Sequence, residues 1–365
     1  MKITVKEISH VDRLFKDKTG KQLNRLQIAI LEGTYRGLKY RQIADNYGCS
    51  EKSVKNAASE LWKTLSFLYS RSINKKNLTE LLQQLYPTVK INLDVNKLEI
   101  PSGEVPLDSQ FYVQYPVIEN LASSIISKQG GLIRIKAPPK MGKSSLMRRI
   151  LHLQAESHTQ VLDLHLPDGE TLQDLDKLLK WLCISVGIKL KLPNCIEEYW
   201  YEDLGSKPSC SFYFEEYLLE QIDRPLILAF DKLDYLFASA KVAADFFGLL
   251  RAWHEKAKNN PLWGKLRLIL VYTENPLPLA SDRSPFNVGE TISLPKFTLD
   301  NILDLADKHG LNWQETQGVQ LMNAVDGHPY LVRRALYDLV TQNLSLLEFL
   351  ESFSSLEPYN QYLPK

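Results

Sequence analysis

Residues 131–153, GLIRIKAPPKMGKSSLMRRILHL, constrain the fold more than any other stretch. The first part is an apolar run of strand length and the last an amphipathic helix. Between them lies A-P-P-K-M-G-K-S, which matches the phosphate-loop pattern GxxxxGK[ST] at every position but the first. A strand that turns through such a loop into a helix N-terminus aims backbone N–H groups and the helix dipole at an anion. The spacing predicts a nucleotide cradle of Ala137, Pro138, Pro139, Lys140, Met141, Gly142, Lys143, Ser144 and Ser145. Lys143 would reach the β- and γ-phosphates of ATP or ADP, and Ser144 would bind Mg²⁺. Ala137, in the usual glycine position, serves if its φ stays negative.

A second apolar run, "PLILAFD", ends in Asp231, placed to hold the magnesium through its water shell. A third, "LRLILVYTEN", ends in Thr273 and Glu274, expected beside the γ-phosphate. Between residues 117 and 272 strands alternate with helices: helix 117–128, strand 131–136, helix 143–157, strand 160–165, helices 171–187 and 211–222, strand 225–230, helix 241–257 and strand 266–272. That alternation implies a parallel sheet covered on both faces. From 299 to 350 the pattern is helical only. The expected division is a helix-turn-helix module at 1–86, a linker with a strand or hairpin at 87–116, an α/β core at 117–298, and a helical lid and tail at 299–365.

Charge separates the two ends. Residues 1–97 hold 18 Lys+Arg against 9 Asp+Glu, and the remainder 26 against 34, so the near-neutral total hides a basic N-terminus. A polyanion partner is the implied use. Within it, "KYRQIADNYGCSEKSVKNAASEL" reads as a helix, a glycine turn and a second helix, the helix-turn-helix arrangement. Leu23, Leu26, Ile30 and Leu31 form one apolar face; Tyr40, Ile43, Ala44 and Tyr47 a second. Val54, Ala57, Leu61, Trp62 and Leu65 line a third helix capped by Ser50. That third helix turns Lys52, Lys55 and Asn56 outward, types suited to phosphate and base-edge contacts with duplex DNA. A helical protein-interaction module would carry the same pattern. Residues 71–86 are expected to continue as a helix.

Other classes are disfavoured. Four cysteines show no CxxC, seven histidines are scattered, and no apolar run nears the ~20 residues of a membrane span. The N-terminus lacks a signal-peptide core, so the expected location is the cytoplasm, without membrane contact.

"VPLDSQFYVQYPVIE", "LIRIKAPPKMGKSSLMRRIL", "FDKLDYLF", "SPFNVG" and "LMNAVDGHPYLVRRALYDL" together resemble the AAA-like ATPases common in cyanobacteria, allied to the signal-transducing (STAND) branch of P-loop NTPases. The resemblance covers roughly residues 104–350, and the N-terminal segment is similar to a helix-turn-helix module often found ahead of such domains. It implies that Gly327 and Pro329 lie against the nucleotide base on the helical lid. From the residues alone, Gly327 ends one helix and Pro329 opens the next. Tyr112 and Tyr115 are offered as adenine-stacking rings or as packing. Because the sequence ends soon after the lid, the long repeat sensor seen in many STAND proteins is expected to be absent, with signals arriving through a separate protein.

Lys232 departs from the family pattern, which has a water-polarising glutamate after the magnesium aspartate. A lysine is protonated at neutral pH and cannot accept that proton. Its charge would instead suit the γ-phosphate, and Glu274 becomes the substitute acid. Three functions compete: a nucleotide-controlled switch with weak hydrolysis acting on DNA or an unidentified protein partner; an ATPase motor working as a nucleotide-dependent homo-oligomer; and an adaptor with structural nucleotide. A motor needs a finger arginine, for which Arg283, Arg333 and Arg334 are weak sources.

Overall fold

The computed structural model describes residues 11, 15–16, 20, 22–68, 71–78, 98–154, 156–273 and 288–362. They form two compact units. One is drawn from Met1–Leu98, His309–Gln317 and Ala335–Gln361, the other from Glu99–Lys308, Gly318–Arg334 and Tyr362–Lys365.

In the first unit three helices appear where the apolar spacing puts them: α1 (Arg25–Tyr35), α2 (Tyr40–Tyr47) and α3 (Glu51–Leu68). Ile30, Leu31, Ile43, Val54, Leu61 and Leu65 are buried together; Ala58 is buried with them, Ala57 packs against this core half-buried, and Tyr47 is exposed. Gly48 ends α2 at φ 79°, the left-handed turn that lets its N–H return to the Ala44 carbonyl at 2.9 Å. Ser50 then accepts the Ser53 N–H at 3.1 Å and starts α3. Close approach of α1 and α2 depends on Gly33, where a Cβ would sit 2.4 Å from an Ile43 side-chain carbon.

The expected helix over 71–86 is corrected for its described part. Residues 71–77 are bend, coil and turn. Ser66 Oγ accepts the Ile73 N–H at 2.7 Å, Asn77 Oδ1 the Asn74 N–H at 2.7 Å, and Asn77 Nδ2 donates to the Ser72 carbonyl at 2.8 Å. These short polar side chains satisfy the backbone locally and compete with a helical ladder. Residues 79–86 lie outside the described residues.

The second unit is built on a five-stranded parallel sheet of order β2-β3-β4-β1-β5. Its elements run α4 (Pro116–Ile126), β1 (Leu132–Lys136), α5 (Lys143–His152), β2 (His158–Asp163), α6 (Gly169–Gln173), α7 (Leu175–Lys189), α8 (Ser206–Phe212), β3 (Leu226–Asp231), α9 (Ala240–Asn259), β4 (Leu266–Tyr272), β5 (Glu290–Ser293) and α10 (Leu299–Lys308). Beyond α8 one turn, Tyr213–Leu218, is a π-helix. Further along the chain come α11 (Glu315–Val325), α12 (Pro329–Thr341) and α13 (Leu346–Ser352).

Strand parity assigns the two faces. Leu226, Leu228 and Phe230 of β3, with Leu268 and Leu270 of β4, pack with Leu179, Phe246, Leu250 and Trp253 on one side. Ile227 and Ala229 of β3, with Ile133, Ile135, Ile269 and Val271, pack with Leu146, Met147 and Ile150 of α5 on the other. Asp231 continues the second series, so it leaves the strand on the face that carries the phosphate-loop helix. Residues 98–115, where the sequence reading allowed a strand or hairpin, contain none. They are not a loose linker either, since Phe111, Tyr112 and Val113 are buried.

Candidate functional site: a phosphate loop facing an acidic strand tip

At the C-terminal end of β1 the chain turns sharply. Lys140 and Gly142 take left-handed φ values of 60° and 93°, while Ala137 shows no left-handed backbone and is buried. The alanine is therefore compatible with the opening position. Gly142 is the N-cap of α5, so the first N–H groups of that helix open onto the loop. Lys143 arches back over it, its ammonium donating to the Ala137 and Pro138 carbonyls at 2.9 Å each.

Sheet order brings the distant residues in. β4 lies between β1 and β3, so the end of β4, followed by Thr273, falls between the end of β1 and the end of β3 that carries Asp231. Ser144 Oγ donates to Asp231 Oδ2 at 2.8 Å, and the Lys232 N–H donates to Asp231 Oδ1 at 2.9 Å. Burial pushes the Asp231 carboxyl above its ordinary value; Ser144 and the Lys232 N–H oppose this, while Asp163 and Glu104 add to it. A hydroxyl and a buried carboxylate in contact are hard oxygen donors of the kind Mg²⁺ takes, and a cation beside them would favour the charged form. The donor set fits magnesium with phosphate oxygens and water completing its shell.

Thr273 is tied down. Its N–H and hydroxyl both donate to Asp234 Oδ1, at 2.8 and 2.5 Å. Asp234 thus anchors the tip of β4, a link that depends on which strands are neighbours. Glu274 lies outside the described residues, as does Arg283.

Lys232 does not stand free toward a ligand. With a left-handed backbone (φ 57°) it donates from its ammonium to Asp163 Oδ2 at 2.7 Å. That hydrogen bond raises the Lys232 pKa above the ordinary lysine value, outweighing partial burial, which lowers it. For Asp163, burial pushes the carboxyl up, but Lys232 and the His165 N–H outweigh it and the net shift is downward. No reading of the sequence singled out Asp163; its signal is that it pairs with Asp231 in the β2–β3 register.

Above the loop is a cavity of about 510 Å³. One wall is Gly142, Lys143, Ser144, Ser145 and Lys232. A second comes from the segment before α4, including Glu104, Val105, Phe111, Tyr112 and Tyr115; a third from Phe297, Pro329, Tyr330 and Arg333. Ser145 Oγ accepts the Val105 N–H at 2.9 Å and so ties the second wall to α5. Tyr112 donates to Glu119 at 2.9 Å and carries the Arg149 guanidinium 4.1 Å above its ring, which occupies one face. Burial, then Glu119, raises its hydroxyl pKa, and the same causes act on Tyr115.

The third wall holds the glycine-proline pair. Gly327 has φ 61°, and a Cβ there would lie 2.8 Å from the Phe297 carbonyl; its own carbonyl accepts the Phe297 N–H at 2.8 Å. Pro329 lines the cavity, whereas Gly327 serves the Phe297 contact. His328, between them, has Nε2 at 3.1 Å from the Pro139 carbonyl of the loop. Arg333 is 5% exposed, with its guanidinium 4.3 Å above the Phe111 ring and 3.8 Å from a Glu99 carboxylate oxygen. Burial lowers its pKa to about 10. So deeply placed on its own chain's cavity, it does not have the surface position that a neighbour-directed finger arginine needs.

In the N-terminal module, Lys52, Lys55 and Asn56 are exposed on α3. Lys55 forms an ion pair with Glu51 at 2.8 Å, one turn away. Lys75, in the same basic segment, is used internally, donating to the Leu38 carbonyl at 2.7 Å. Among the described residues no helix is long and apolar enough to cross a membrane.

A family model described as an AAA-like domain matches residues 100–365, and one described as the N-terminal HTH of vWA-MoxR associated proteins matches residues 3–85. An uncharacterized WD repeat-containing protein of Synechocystis is 24% identical over 216 residues, which is 56% of this chain; the chain spans 18% of that relative's length. Among solved structures, a Walker-type ATPase of Pyrococcus abyssi aligns over 71% of this chain and 76% of its own, at 15% identity and a TM-score of 0.49. A STAND protein with a tetratricopeptide repeat sensor from Pyrococcus horikoshii aligns over 70% and 34%, at 14% identity and a TM-score of 0.36.

Proposed function

Because this chain belongs to the AAA-like domain family and carries an N-terminal helix-turn-helix module, we propose that it is an ATP-binding switch that controls contact with duplex DNA or a protein partner. The observation that carries the reading is the 2.8 Å contact between Ser144, in the first turn of the helix after the phosphate loop, and Asp231, at the end of β3. Lys143 would take the β- and γ-phosphates, Ser144 and Asp231 the magnesium, and the cavity walls the nucleoside. Hydrolysis is weak, because the residue after Asp231 is a lysine, whose ammonium cannot accept a proton from water, rather than a carboxylate. That favours a switch over a motor. Nucleotide would change the third wall, where His328 meets the loop, and through it the availability of α3 to DNA.

The test pairs two measurements on the full chain. Calorimetry with ATP and magnesium should show one saturable site. A mobility-shift assay on duplex DNA should then give different affinities with and without ATP. Saturable nucleotide binding with no DNA binding at low salt would leave a nucleotide-binding adaptor and remove DNA from the proposal.

A further inference from the structure

The tips of β2 and β3 carry a pair that simple nucleotide binding does not require. Asp163 and Asp231 are register partners on adjacent parallel strands and leave the sheet on the same face. Asp231 is committed to Ser144. Asp163 accepts the His165 N–H at 2.9 Å on one oxygen and the Lys232 ammonium at 2.7 Å on the other. Lys232 reaches it from a left-handed backbone, φ 57° and ψ 40°, which a residue with a Cβ holds only where its surroundings over-determine it. Yet Lys232 also lines the cavity, on the wall formed by Gly142, Lys143 and Ser144. One ammonium therefore stands between a fixed carboxylate and the phosphate end of the cavity.

We infer that Lys232 and Asp163 form a γ-phosphate reader that sets preference for a nucleoside triphosphate over a diphosphate. This rests on the nucleotide reading above and adds to it. The loop and helix N-terminus meet phosphates that ATP and ADP share; the third phosphate brings its extra charge to the strand tips. The Lys232–Asp163 pair is partly exposed, 43% and 29% by side chain, so its attraction is screened and its exchange inexpensive. A third phosphate draws the ammonium away and replaces one charge-assisted bond with another. A diphosphate leaves it on Asp163. Asp163 is thus a positioning residue that competes for the ammonium and sets the threshold.

The experiment is calorimetric titration of the full chain with ATP and with ADP, both with magnesium, for wild type, Lys232→Met, Lys232→Arg and Asp163→Asn. Wild type should prefer ATP. Lys232→Met should lose about tenfold of that preference, the scale of one hydrogen bond to a charged group, while ADP affinity stays within about twofold. Lys232→Arg should keep most of it, and Asp163→Asn should increase it, because the competitor has gone. An ATP/ADP ratio unchanged in Lys232→Met, or lowered in Asp163→Asn, overturns the inference and leaves the nucleotide site standing. A wild type that binds both nucleotides equally overturns it too, and one that binds neither overturns the site reading as well.

Discussion

The phosphate loop and the third helix of the N-terminal module both present lysines, but in physically different ways. At the loop Lys143 and Lys232 each have a specific partner in the absence of phosphate: Lys143 lies on two carbonyls of its own loop, and Lys232 on the Asp163 carboxylate. On α3 the cations are exposed, and Lys55 pairs with Glu51 one turn away, the two side chains being 58% and 41% exposed. The first arrangement is preorganised, so its free energy concentrates in single contacts. The second is a field, in which each charge contributes a similar small share and salt screens the sum. Single substitutions should therefore act steeply at the loop and gradually on α3.

The largest effect is expected where the site lacks a group. Lys232→Glu restores a carboxylate next to Asp231 and Asp163, whose charges raise the pKa of an acid placed there toward that of a working general base. Single-turnover hydrolysis should rise by about 10²–10⁴, the usual value of general-base help. A wild type that already turns over as fast as this variant would mean that the acid is elsewhere, with Glu274 first to be tested by Glu274→Gln.

Next in size is Lys143→Ala. Losing one charge-assisted contact to phosphate removes about 1.5–3 kcal/mol, so ATP affinity should fall at least tenfold while the unfolding midpoint barely moves. Equal affinity of variant and wild type by calorimetry would break the phosphate-loop side of the comparison outright.

How much of this was legible in the sequence follows from the range of each determinant. The loop is contiguous, and strand, turn and helix cues from Ile133 to Ile150 agree, so its place and its first-position alanine could be read directly. Asp231 was equally visible as the acid closing a wholly apolar strand. Asp163 was not, because its meaning comes from lying opposite Asp231 in a parallel register that no local pattern encodes. The Asp234–Thr273 link was hidden for the same reason, since it requires β3 and β4 to be neighbours. Strand β5 has four residues, only Ile292 of them buried, too short an alternation to stand out. The helix expected after residue 70 failed in its described part because Ser66 and Asn77 take up backbone groups that a helix would need.

On α3 a moderate effect is expected. Lys52→Glu with Lys55→Glu reverses two charges on the surface proposed to meet DNA phosphates. Duplex affinity at low salt should fall by about tenfold, and the slope of log affinity against log salt should flatten by about two contacts' worth, near 1.8. Lys52→Gln alone should give a smaller, proportionate step. A steep loss from Lys52→Gln, matching the double reversal, would show that this helix too is a preorganised site and would erase the contrast drawn above.

The smallest effect is a difference in acid sensitivity between the two regions. In the unit that holds the phosphate loop, His254 has Nδ1 at 2.9 Å from the Gly130 carbonyl and His328 has Nε2 at 3.1 Å from the Pro139 carbonyl. Burial lowers both pKa values below the ordinary 6.5. Between 6.5 and the lower folded values, the unfolded chain binds more protons than the folded one, so stability falls as pH drops. Asp231, whose pKa burial raises, works in the opposite sense, so His254→Gln and His328→Gln are needed to isolate the histidine share. Residues 11–98 contain no histidine, and the Glu51 carboxyl on α3 is held below its ordinary value by its hydrogen bond to Lys55. Hydrogen exchange on the full chain at pH 7.5 and 5.5, corrected for intrinsic rates, should show protection reduced in α9 and around residues 325–334. Protection in α1 to α3 should be unchanged. Equal acid loosening of both regions, or a loosening of α9 that survives His254→Gln, would show that the difference does not come from these two rings.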